Sequence, residues 1–506
     1  MKSYWIESTK NEKRNYPRFK ESLSTEVCII GGGITGITTA YYLAKEGREV
    51  ILLEKDEICS KTSGNTTAKI TSQHGLFYKY LIDSEGKEFA KKYLEANEEA
   101  IRNIEKIIKE ENINCNFEKQ DAFVFTQRQE EVPKIQDEVN AVKSIGGDSE
   151  FVTKVQLPFS IQGAIKFKNQ AQFNIRKYAF GLLNKVLETN NCSIFENTKV
   201  LEVNKGKEGY LVHTENGDIS AKYVVLATRY PIINSPGFYF FKMYQSKSYA
   251  IAIECENDDF FSGMYINSEL PTKSFRTVVD GDKRLLLIVG FDHKTGEDVD
   301  CLKMEQNLEK YAKELYPNCE IRYKWSAEDC ISLDKIPYIG SFSKFMPNLY
   351  VGTGYKKWGV TISNIAANII CDKIQNRENK YEEIFRATRV EPIKNIQKVE
   401  NMLKQTTKSL IVEKFKIPKE DLEDIECDEG KIINVNGNKA GVYKDSDGRT
   451  YAVKPICSHL GCELSWNSLE HTWDCPCHGS RFDYFGNSIE VPSIDSLEQI
   501  QLEDYN

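Results

Sequence analysis

Residues 26–36, EVCIIGGGITG, decide the fold of the first part of this chain. The opening EVCII is an apolar run between polar residues and glycines, which is typical of a buried parallel strand. Gly31, Gly33 and Gly36 follow with G-x-G-x-x-G spacing, and residues 34–44 have helical character. In such a unit the glycines allow a tight turn, close approach of a pyrophosphate and close helix–strand packing. The stretch therefore predicts an α/β dinucleotide-binding unit.

A second buried strand supports this prediction. Residues 49–53 (EVILL) form another apolar run, and Glu54 ends it twenty-three residues after Gly31. An acidic residue at this place binds the ribose hydroxyls of a dinucleotide. The predicted nucleotide contacts of this unit are Gly31, Gly33, Ile34, Thr35, Gly36, Glu54 and Lys55.

Length and charge limit the class of protein. A chain of 506 residues is expected to form about three domains. The net charge of −8 argues against a nucleic-acid or anionic-membrane partner. No apolar run approaches the roughly 20 residues that cross a bilayer, and the first twenty residues lack the apolar segment of a signal peptide. We therefore predict a cytoplasmic protein with no nucleic-acid partner and no membrane span.

The later part of the chain changes in character. Residues 84–112 have apolar positions at helical spacing and predict an amphipathic helix. Residues 375–424 are rich in Lys, Glu and Asn and predict a helical connector. From Gly430 onward, short apolar runs alternate with turn signals such as Asn436-Gly437 and Asp447-Gly448, which indicates a small all-β module.

Four of the fourteen cysteines and two of the six histidines lie in two short stretches of this module. They form two loops, Cys457-Ser-His459-Leu-Gly-Cys462 and Cys475-Pro-Cys477-His478-Gly-Ser480. A Rieske 2Fe–2S centre needs one Cys and one His from each of two loops, because one iron takes two thiolates and the other takes two imidazoles. The candidate ligands are Cys457, His459, Cys475 and His478. Short Cys/His spacing is also a zinc pattern, so zinc is the alternative.

From about Gly430 to Pro492, including the run CPCHGSRFD, the chain resembles the Rieske proteins of cytochrome bc-type complexes. The resemblance implies a disulfide between Cys462 and Cys477, a pair that a zinc site would leave unexplained. High-potential members of that family usually have Tyr where this chain has Phe482. Since a hydroxyl donor near the cluster raises its potential, we predict a potential in the lower-to-middle part of the Rieske range, with Ser480 as the remaining donor.

From about Thr25 to Ile374 the chain resembles the D-amino acid oxidase and glycine oxidase superfamily, the DAO flavoproteins. Arg229 stands where that family usually has Gly. The matching segments are residues 62–69 (TSGNTTAK), 224–228 (VVLAT), 334–340 (DKIPYIG), 352–354 (GTG) and 359–361 (GVT). This resemblance implies FAD as the dinucleotide. The further FAD contacts that it implies are Ser63, Gly64, Thr66, Thr67, Val200, Thr228, Gly354, Gly359, Val360 and Thr361.

The two resemblances together imply the architecture. We expect an α/β, Rossmann-like FAD-binding domain with an antiparallel-sheet substrate domain, followed by an all-β Rieske domain. The predicted domains are residues 1–374, with FAD-binding parts at about 25–84, 195–235 and 326–374 and the substrate sheet at about 236–325, then the connector 375–424 and the Rieske domain 425–506. Some DAO flavoproteins attach FAD covalently, but His74 and Cys330 are interpreted here as packing residues.

DAO flavoproteins oxidise C–N bonds, and a fused one-electron carrier favours a dehydrogenase over an oxidase. We therefore expect a small-molecule substrate, an amino acid or amine, to reduce FAD, which passes electrons to the Rieske cluster and on to an external acceptor. Tyr249, Lys356 and Trp358 are the candidate catalytic residues. The alternatives are a reductase in which electrons enter at the cluster, and a non-catalytic redox sensor or electron carrier.

Two other classes are excluded by what they require. A Rieske oxygenase needs a mononuclear iron held by two His and a carboxylate, whereas His74, His213 and His293 are far apart in sequence. A reductase driven by NAD(P)H would need a second G-x-G-x-x-G motif, which is missing. The substrate-facing sheet has no motif that names the substrate.

Overall fold

A computed structural model describes residues 3–233, 235–255, 260–389, 421–435 and 437–502. Two large sheets lie in the first 389 residues and two small antiparallel sheets lie after residue 421. The described helices are α1 (Tyr4–Ser8), α2 (Ile34–Lys45), α3 (Thr62–Asn65), α4 (Tyr78–Glu85), α5 (Lys87–Glu110), α6 (Val132–Ser144), α7 (Ile175–Glu188), α8 (Cys301–Leu315), α9 (Gly359–Ile374) and α10 (Glu382–Phe385).

The strands also follow chain order. Those of the first 389 residues are β1 (Leu23–Ile30), β2 (Val50–Leu53), β3 (Lys69–Ile70), β4 (Glu118–Thr126), β5 (Ser149–Val152), β6 (Gly163–Gln172), β7 (Cys192–Phe195), β8 (Val200–Lys205), β9 (Tyr210–Thr214), β10 (Gly217–Leu226), β11 (Met243–Glu254), β12 (Met264–Asn267), β13 (Lys273–Asp280), β14 (Lys283–Lys294), β15 (Glu320–Ser332), β16 (Tyr338–Ser343) and β17 (Met346–Thr353). Those that follow are β18 (Glu429–Val435), β19 (Asn438–Lys444), β20 (Thr450–Val453), β21 (Ser465–Asn467), β22 (Thr472–Asp474), β23 (Arg481–Asp483) and β24 (Ser488–Glu490).

The first large sheet has the order β16-β17-β10-β1-β2-β7, with β8 and β9 joined to β10. Strand β1 pairs in parallel with both β2 and β10. Its apolar residues are buried on both faces, with Val27 and Ile29 in one core and Cys28 and Ile30 in another. This central strand leads into the glycine turn and α2, so the predicted α/β dinucleotide fold is confirmed.

The second large sheet has the order β15-β11-β14-β13-β12-β4-β6-β3, with β5 on β6. It is antiparallel except for the β4–β12 pair. Its strands β3 to β6 come from residues 69–172, so the sheet extends well beyond the predicted range 236–325. Pairing between strands so distant in sequence leaves no local pattern by which the sequence could have revealed it.

The predicted helical arm at residues 84–112 is divided in the structure. Helix α4 ends at Glu85 and α5 begins at Lys87, because Gly86 between them has φ +93°, a conformation that favours glycine. The apolar stripe of α5 is buried, as its sequence period requires.

The C-terminal region consists of the sheet β18-β19-β20 and the sheet β21-β22-β23-β24. This agrees with the predicted all-β Rieske domain. The predicted connector at 375–424 falls mostly on residues 390–420, which lie outside the described residues, and its described flanks hold α10 and a 3₁₀ turn at Leu422–Asp424. The predicted domain boundaries stay a prediction. Within the described ranges, no helix combines the length and apolar character that crossing a bilayer requires.

Candidate functional site

A deep cleft opens where β1, β2 and β10 end and α2 begins. It encloses about 1430 Å³ of space, counting the part open to solvent. Thirteen of the seventeen predicted FAD contacts line it: Gly31, Gly33, Ile34, Thr35, Glu54, Lys55, Ser63, Thr66, Val200, Thr228, Gly354, Gly359 and Val360. The structure thus brings together residues from five separate segments.

The chemistry of the cleft wall suits a dinucleotide. Gly33 caps α2 without a side-chain hydrogen bond, so the positive end of the helix faces the cleft and can bind a pyrophosphate. A Cβ added to Gly33 would meet only the Ser63 hydroxyl, at 3.1 Å, so the backbone here is open to a ligand. Glu54 accepts hydrogen bonds from the N–H groups of Gly32 (2.8 Å) and Asp56 (2.9 Å), which orient its carboxylate at the cleft.

Two of the predicted glycine contacts, Gly36 and Gly64, do not line the cleft but allow close backbone packing beside it. A Cβ on Gly36 would lie 2.0 Å from the carbonyl oxygen of Gly31, so glycine lets α2 pack against the turn. A Cβ on Gly64 would lie 2.2 Å from the carbonyl oxygen of Cys59. These residues are required for close backbone packing.

Two predicted threonine contacts are also absent from the lining. The Thr361 hydroxyl donates to the carbonyl of Thr71 at 3.1 Å. The carbonyl of Thr67 accepts a hydrogen bond from Arg276 at 2.7 Å. Both residues bind other parts of the protein.

The cleft also contains a polar group that no sequence motif revealed. Lys357 lies 2.9 Å from Asp292 and donates to the Ser248 hydroxyl at 3.0 Å. The nearby Asp329 lines the cleft, and within the described ranges its carboxylate has no hydrogen bond or ion pair. Burial raises the pKa of the Asp329 carboxyl, although Lys357 and Arg229 act in the opposite direction. Asp329 therefore offers an unengaged carboxylate to a ligand.

The three predicted catalytic residues do not line the cleft. Tyr249 is buried in β11, and its hydroxyl pairs with His293 Nε2 at 2.9 Å. The ammonium of Lys356 lies 4.0 Å from the centre of the Phe77 ring. Trp358 precedes α9 and stacks on an imidazole. Their catalytic roles stay a prediction, without support from these positions.

The two residues considered for covalent FAD differ in position. His74 is buried, and its ring nitrogens pair with the Tyr93 hydroxyl (2.7 Å) and the Thr71 carbonyl (3.0 Å), as in a packing residue. Cys330 lines the cleft, and burial raises the pKa of its thiol to about 12. A thiol that stays protonated at neutral pH is a poor nucleophile.

The four predicted cluster ligands converge in the C-terminal region. The thiols of Cys457 and Cys475 hydrogen-bond to each other, and the ring centres of His459 and His478 lie 5.1 Å apart. The Ser480 side chain hydrogen-bonds to the sulfur of Cys457. Backbone N–H groups of each loop also reach the sulfur of its cysteine, an arrangement that stabilises thiolates.

These donors fit a Rieske cluster. Nδ1 of His478 is buried and has no hydrogen-bond partner in the part of the chain that the structure describes. Burial lowers the pKa of His478 to about 3, which keeps its imidazole neutral and able to bind iron. Two thiols and two neutral imidazoles are the donor set that a Rieske 2Fe–2S cluster requires.

The other two cysteines join the loops. Cys462 and Cys477 form the disulfide implied by the Rieske resemblance, with an S–S distance of 2.07 Å. The sulfur atoms of Cys462, Cys475 and Cys477 lie within 4.8 Å of one another. Because the disulfide uses two of these three sulfurs, they cannot serve together as thiolate ligands of zinc.

The C-terminal region, residues 421–435 and 437–502, is called the cluster region below. It packs on the strand pair β11–β15 through buried charges. Lys247 of β11 is fully buried beside Glu328 of β15, at 3.3 Å. Arg481 of β23 pairs with the same Glu328 at 2.8 Å, and Glu470 pairs with both Lys247 and Arg481. Glu328 and Asp329 are consecutive in β15, so one strand reaches the cluster region with one residue and the cleft with the next.

Gln245 adds neutral contacts next to the cluster. Its Nε2 atom lies within hydrogen-bonding distance of the carbonyls of His478 (2.8 Å), Gly479 (3.0 Å) and Val491 (2.8 Å). A Cβ on Gly479 would lie 2.6 Å from the Gln245 side chain, so glycine is needed for this approach. The cluster loop is therefore held directly on β11.

Arg229 stands where the DAO resemblance implies Gly, and the structure shows what its side chain binds. Its φ is +64°, a left-handed conformation that favours glycine, the residue that the DAO resemblance implies here. Its side chain reaches Glu490 of the C-terminal region at 2.8 Å. Glu490 and neighbouring residues of the C-terminal region also line the FAD cleft: Ser488, Val491, Ser493 and Ile494. The cluster region therefore forms part of the wall of the cleft.

Comparisons with known proteins agree with both sites. Residues 26–373 match the family of FAD dependent oxidoreductases called DAO, and residues 417–501 match the Rieske 2Fe-2S domain. The Bacillus subtilis protein YhfW, named as a Rieske 2Fe-2S iron-sulfur protein, is 38% identical over 502 residues, which cover 99% of this chain and 98% of that protein.

More distant relatives share the first part of the chain. Gamma-glutamylputrescine oxidoreductase of Escherichia coli is 21% identical over 394 residues, covering 75% of this chain and 90% of that protein. Glycine oxidase from Geobacillus kaustophilus has a similar fold, with a TM-score of 0.62 at 19% identity, covering 73% of this chain and all of that one. The predicted FAD and 2Fe–2S cofactors are confirmed by these family assignments.

Proposed function

Because the chain belongs to the DAO family of FAD dependent oxidoreductases and carries a Rieske 2Fe-2S domain, we propose that it is an amine or amino acid dehydrogenase that delivers electrons to an external acceptor. FAD supplies hydride acceptance from a C–N bond, and the cluster supplies one-electron transfer. The observation that carries the proposal is the shared wall, since residues of the C-terminal region line the FAD cleft. The cluster region is therefore directly beside the cleft from which electrons would leave the flavin.

Asp329 is the residue that we propose binds the nitrogen of the substrate. Its carboxylate is the unengaged acid on the cleft wall, with Lys357 already paired to Asp292. A carboxylate can accept a hydrogen bond from an ammonium and take up its proton, and the raised pKa of Asp329 favours that uptake. Oxidation of a C–N bond needs the deprotonated nitrogen. Names of relatives, such as glycine oxidase and gamma-glutamylputrescine oxidoreductase, are in keeping with a nitrogen substrate.

The function is tested by anaerobic mixing of the purified protein with a panel of amino acids and secondary or tertiary amines. We expect one class of compound to bleach the flavin absorbance and to produce the EPR signal of the reduced cluster. If no compound reduces either centre while dithionite reduces both, the dehydrogenase is contradicted. A response only to a reduced protein donor would instead indicate the reductase.

Once a reducing compound has been identified, the variant Asp329→Asn tests whether Asp329 binds the nitrogen of the substrate. We expect kcat/KM to fall about 100-fold, the usual contribution of a positioned base. Asp298→Asn, at an exposed acid outside the cleft, should leave kcat/KM unchanged. An Asp329→Asn variant with undiminished kcat/KM would remove Asp329 from the site and leave the dehydrogenase itself standing.

Glu54→Gln tests the nucleotide end of the cleft. We expect the affinity for FAD to fall about tenfold or more, since a hydrogen bond to a charged group contributes about 1.5–3 kcal/mol. The measurement is the dissociation constant of FAD, from quenching of flavin fluorescence as the apoprotein is titrated. Glu46→Gln, at an acid paired with Arg377 on the surface, is the control and should bind FAD normally. Equal affinities of the two variants would contradict the assignment of Glu54.

A further inference from the structure

Residues 488–494 of the cluster region form one side of the FAD cleft. This segment consists of β24 and the four residues after it, and five of its seven residues line the cleft. It lies within the Rieske match, residues 417–501, and outside the DAO match, which ends at residue 373. The cleft wall thus includes a segment that the DAO domain does not itself contain.

The nucleotide end of the cleft can be located from Glu54 and Val200. An acid in the position of Glu54 binds the ribose hydroxyls of a dinucleotide. The N–H of Thr198 donates to the carbonyl of Glu54 at 2.9 Å, so the start of β8 lies beside the end of β2. Both Glu54 and Val200 line the cleft, and this side of it therefore receives the adenosine half of FAD.

Two lysines attach the 488–494 segment to this end of the cleft. Lys55, directly after Glu54, donates to the carbonyl of Ile489. Lys199, directly before Val200, donates to the carbonyl of Ile494 at 2.6 Å. The segment is therefore held across the two elements that bind the adenosine half of FAD.

Ile494 is the apolar residue of the segment that the protein leaves without a core. Val491 packs into a core of the FAD-binding region together with Ile30 and Leu53, and Leu497 packs into a core around the cluster ligands. Among the described residues, Ile494 belongs to neither core; it is half-buried and lines the cleft. A ligand that covers such a side chain gains affinity by removing apolar surface from water.

We propose that the 488–494 segment is a FAD-binding element of the cluster region and that Ile494 is its apolar contact with the adenosine half of FAD. FAD is then bound by two domains at once, and its affinity depends on the packing of the cluster region against the cleft. Since coupling between two binding events is reciprocal, bound FAD also holds the cluster region in place. The nucleotide thereby helps to keep the cluster beside the flavin.

The first test is the dissociation constant of FAD for Ile494→Ala, from quenching of flavin fluorescence as protein that retains its cluster but lacks FAD is titrated. We expect affinity to fall about tenfold, because side-chain carbons that FAD covers are removed. Ile500→Ala is the matched control, since Ile500 is also a half-buried isoleucine of the cluster region but packs on a different core. Equal affinities of the two variants would overturn the proposal.

A second measurement needs no variant. We expect hydrogen exchange of the wild-type protein, followed by mass spectrometry, to slow at residues 488–494 when FAD is added, and to stay unchanged at Asn438–Lys444 of β19, outside the cleft lining. Unchanged exchange at 488–494 would overturn the proposal even if Ile494→Ala failed to fold. Both measurements require FAD in the cleft and use no substrate, so their failure is distinct from failure of the proposed dehydrogenase.

Discussion

Replacing Cys475 with serine is expected to abolish the EPR signal of the reduced cluster, while the protein still binds FAD. Cys475 is buried, and its sulfur faces that of Cys457 at the site of one iron. A serine alkoxide is a far poorer ligand for iron than a thiolate, so the variant has three of the four donors. The FAD contacts lie on other elements, and the substrate should still bleach the flavin.

The variant should lose its electron output. We expect the steady-state rate with a one-electron acceptor to fall more than about 100-fold, because even changes beyond the metal ligands cost 10–100-fold in metal affinity or activity. Cys115→Ser is the control, since Cys115 is a buried free thiol of the FAD-binding region, and its rate should match that of the wild type. An undiminished rate in Cys475→Ser would mean that electrons leave the flavin directly, and the proposed route through the cluster would be wrong.

The parts of both sites that the sequence predicted depend on short-range patterns. In the glycine turn after β1 each glycine is required for its own steric reason, and its spacing together with Glu54 after the next strand indicates a dinucleotide cofactor. The cluster ligands likewise sit on two short loops, within twenty-two residues from Cys457 to His478. The disulfide followed from the family resemblance, and the structure contains it.

The wall shared by the two sites could not be predicted in this way. Lys247, Glu328 and Arg481 come from strands far apart in the chain, and each alone reads as an ordinary charged residue. They form one buried ion-pair network only because β11 pairs with β15 and β23 packs on that pair. The sequence signal that pointed closest to this wall was Arg229, a bulky residue where the DAO resemblance implies Gly.

The side-chain directions at the cleft could not be predicted from the sequence for a similar reason. Tyr249 lies on β11, and a sequence does not reveal which face of the sheet a strand side chain occupies until the register is known. In β15 the register places Asp329 opposite Ser246 and Glu328 opposite Lys247. A shift of one residue would exchange their roles.

The buried charges of this wall lead to the second large prediction, the replacement of Lys247 with methionine. Met keeps most of the side-chain volume, but among the described residues Glu470 then keeps Arg481 as its ion-pair partner, and Glu328 keeps Arg481 and Arg229. Removing one partner of a buried ion pair costs about 3–5 kcal/mol when the other charge is left uncompensated, so with arginine partners still present we expect about 3 kcal/mol, the lower end of that range. We expect the free energy of unfolding to fall by that amount in urea titrations monitored through the visible circular dichroism of the cluster.

Because Lys247 lies where the cluster region packs on the FAD-binding region, the loss of stability should be specific to that contact. Lys283→Met removes a pair with Glu254 in which the Lys283 side chain is 58% exposed, and it should cost at most about 1 kcal/mol. In Lys247→Met, reduction of the flavin by substrate should keep its rate, while the subsequent reduction of the cluster should slow, since the cluster region no longer packs firmly on β11 and β15. A Lys247→Met protein as stable as Lys283→Met would show that these charges do not hold the cluster region in place.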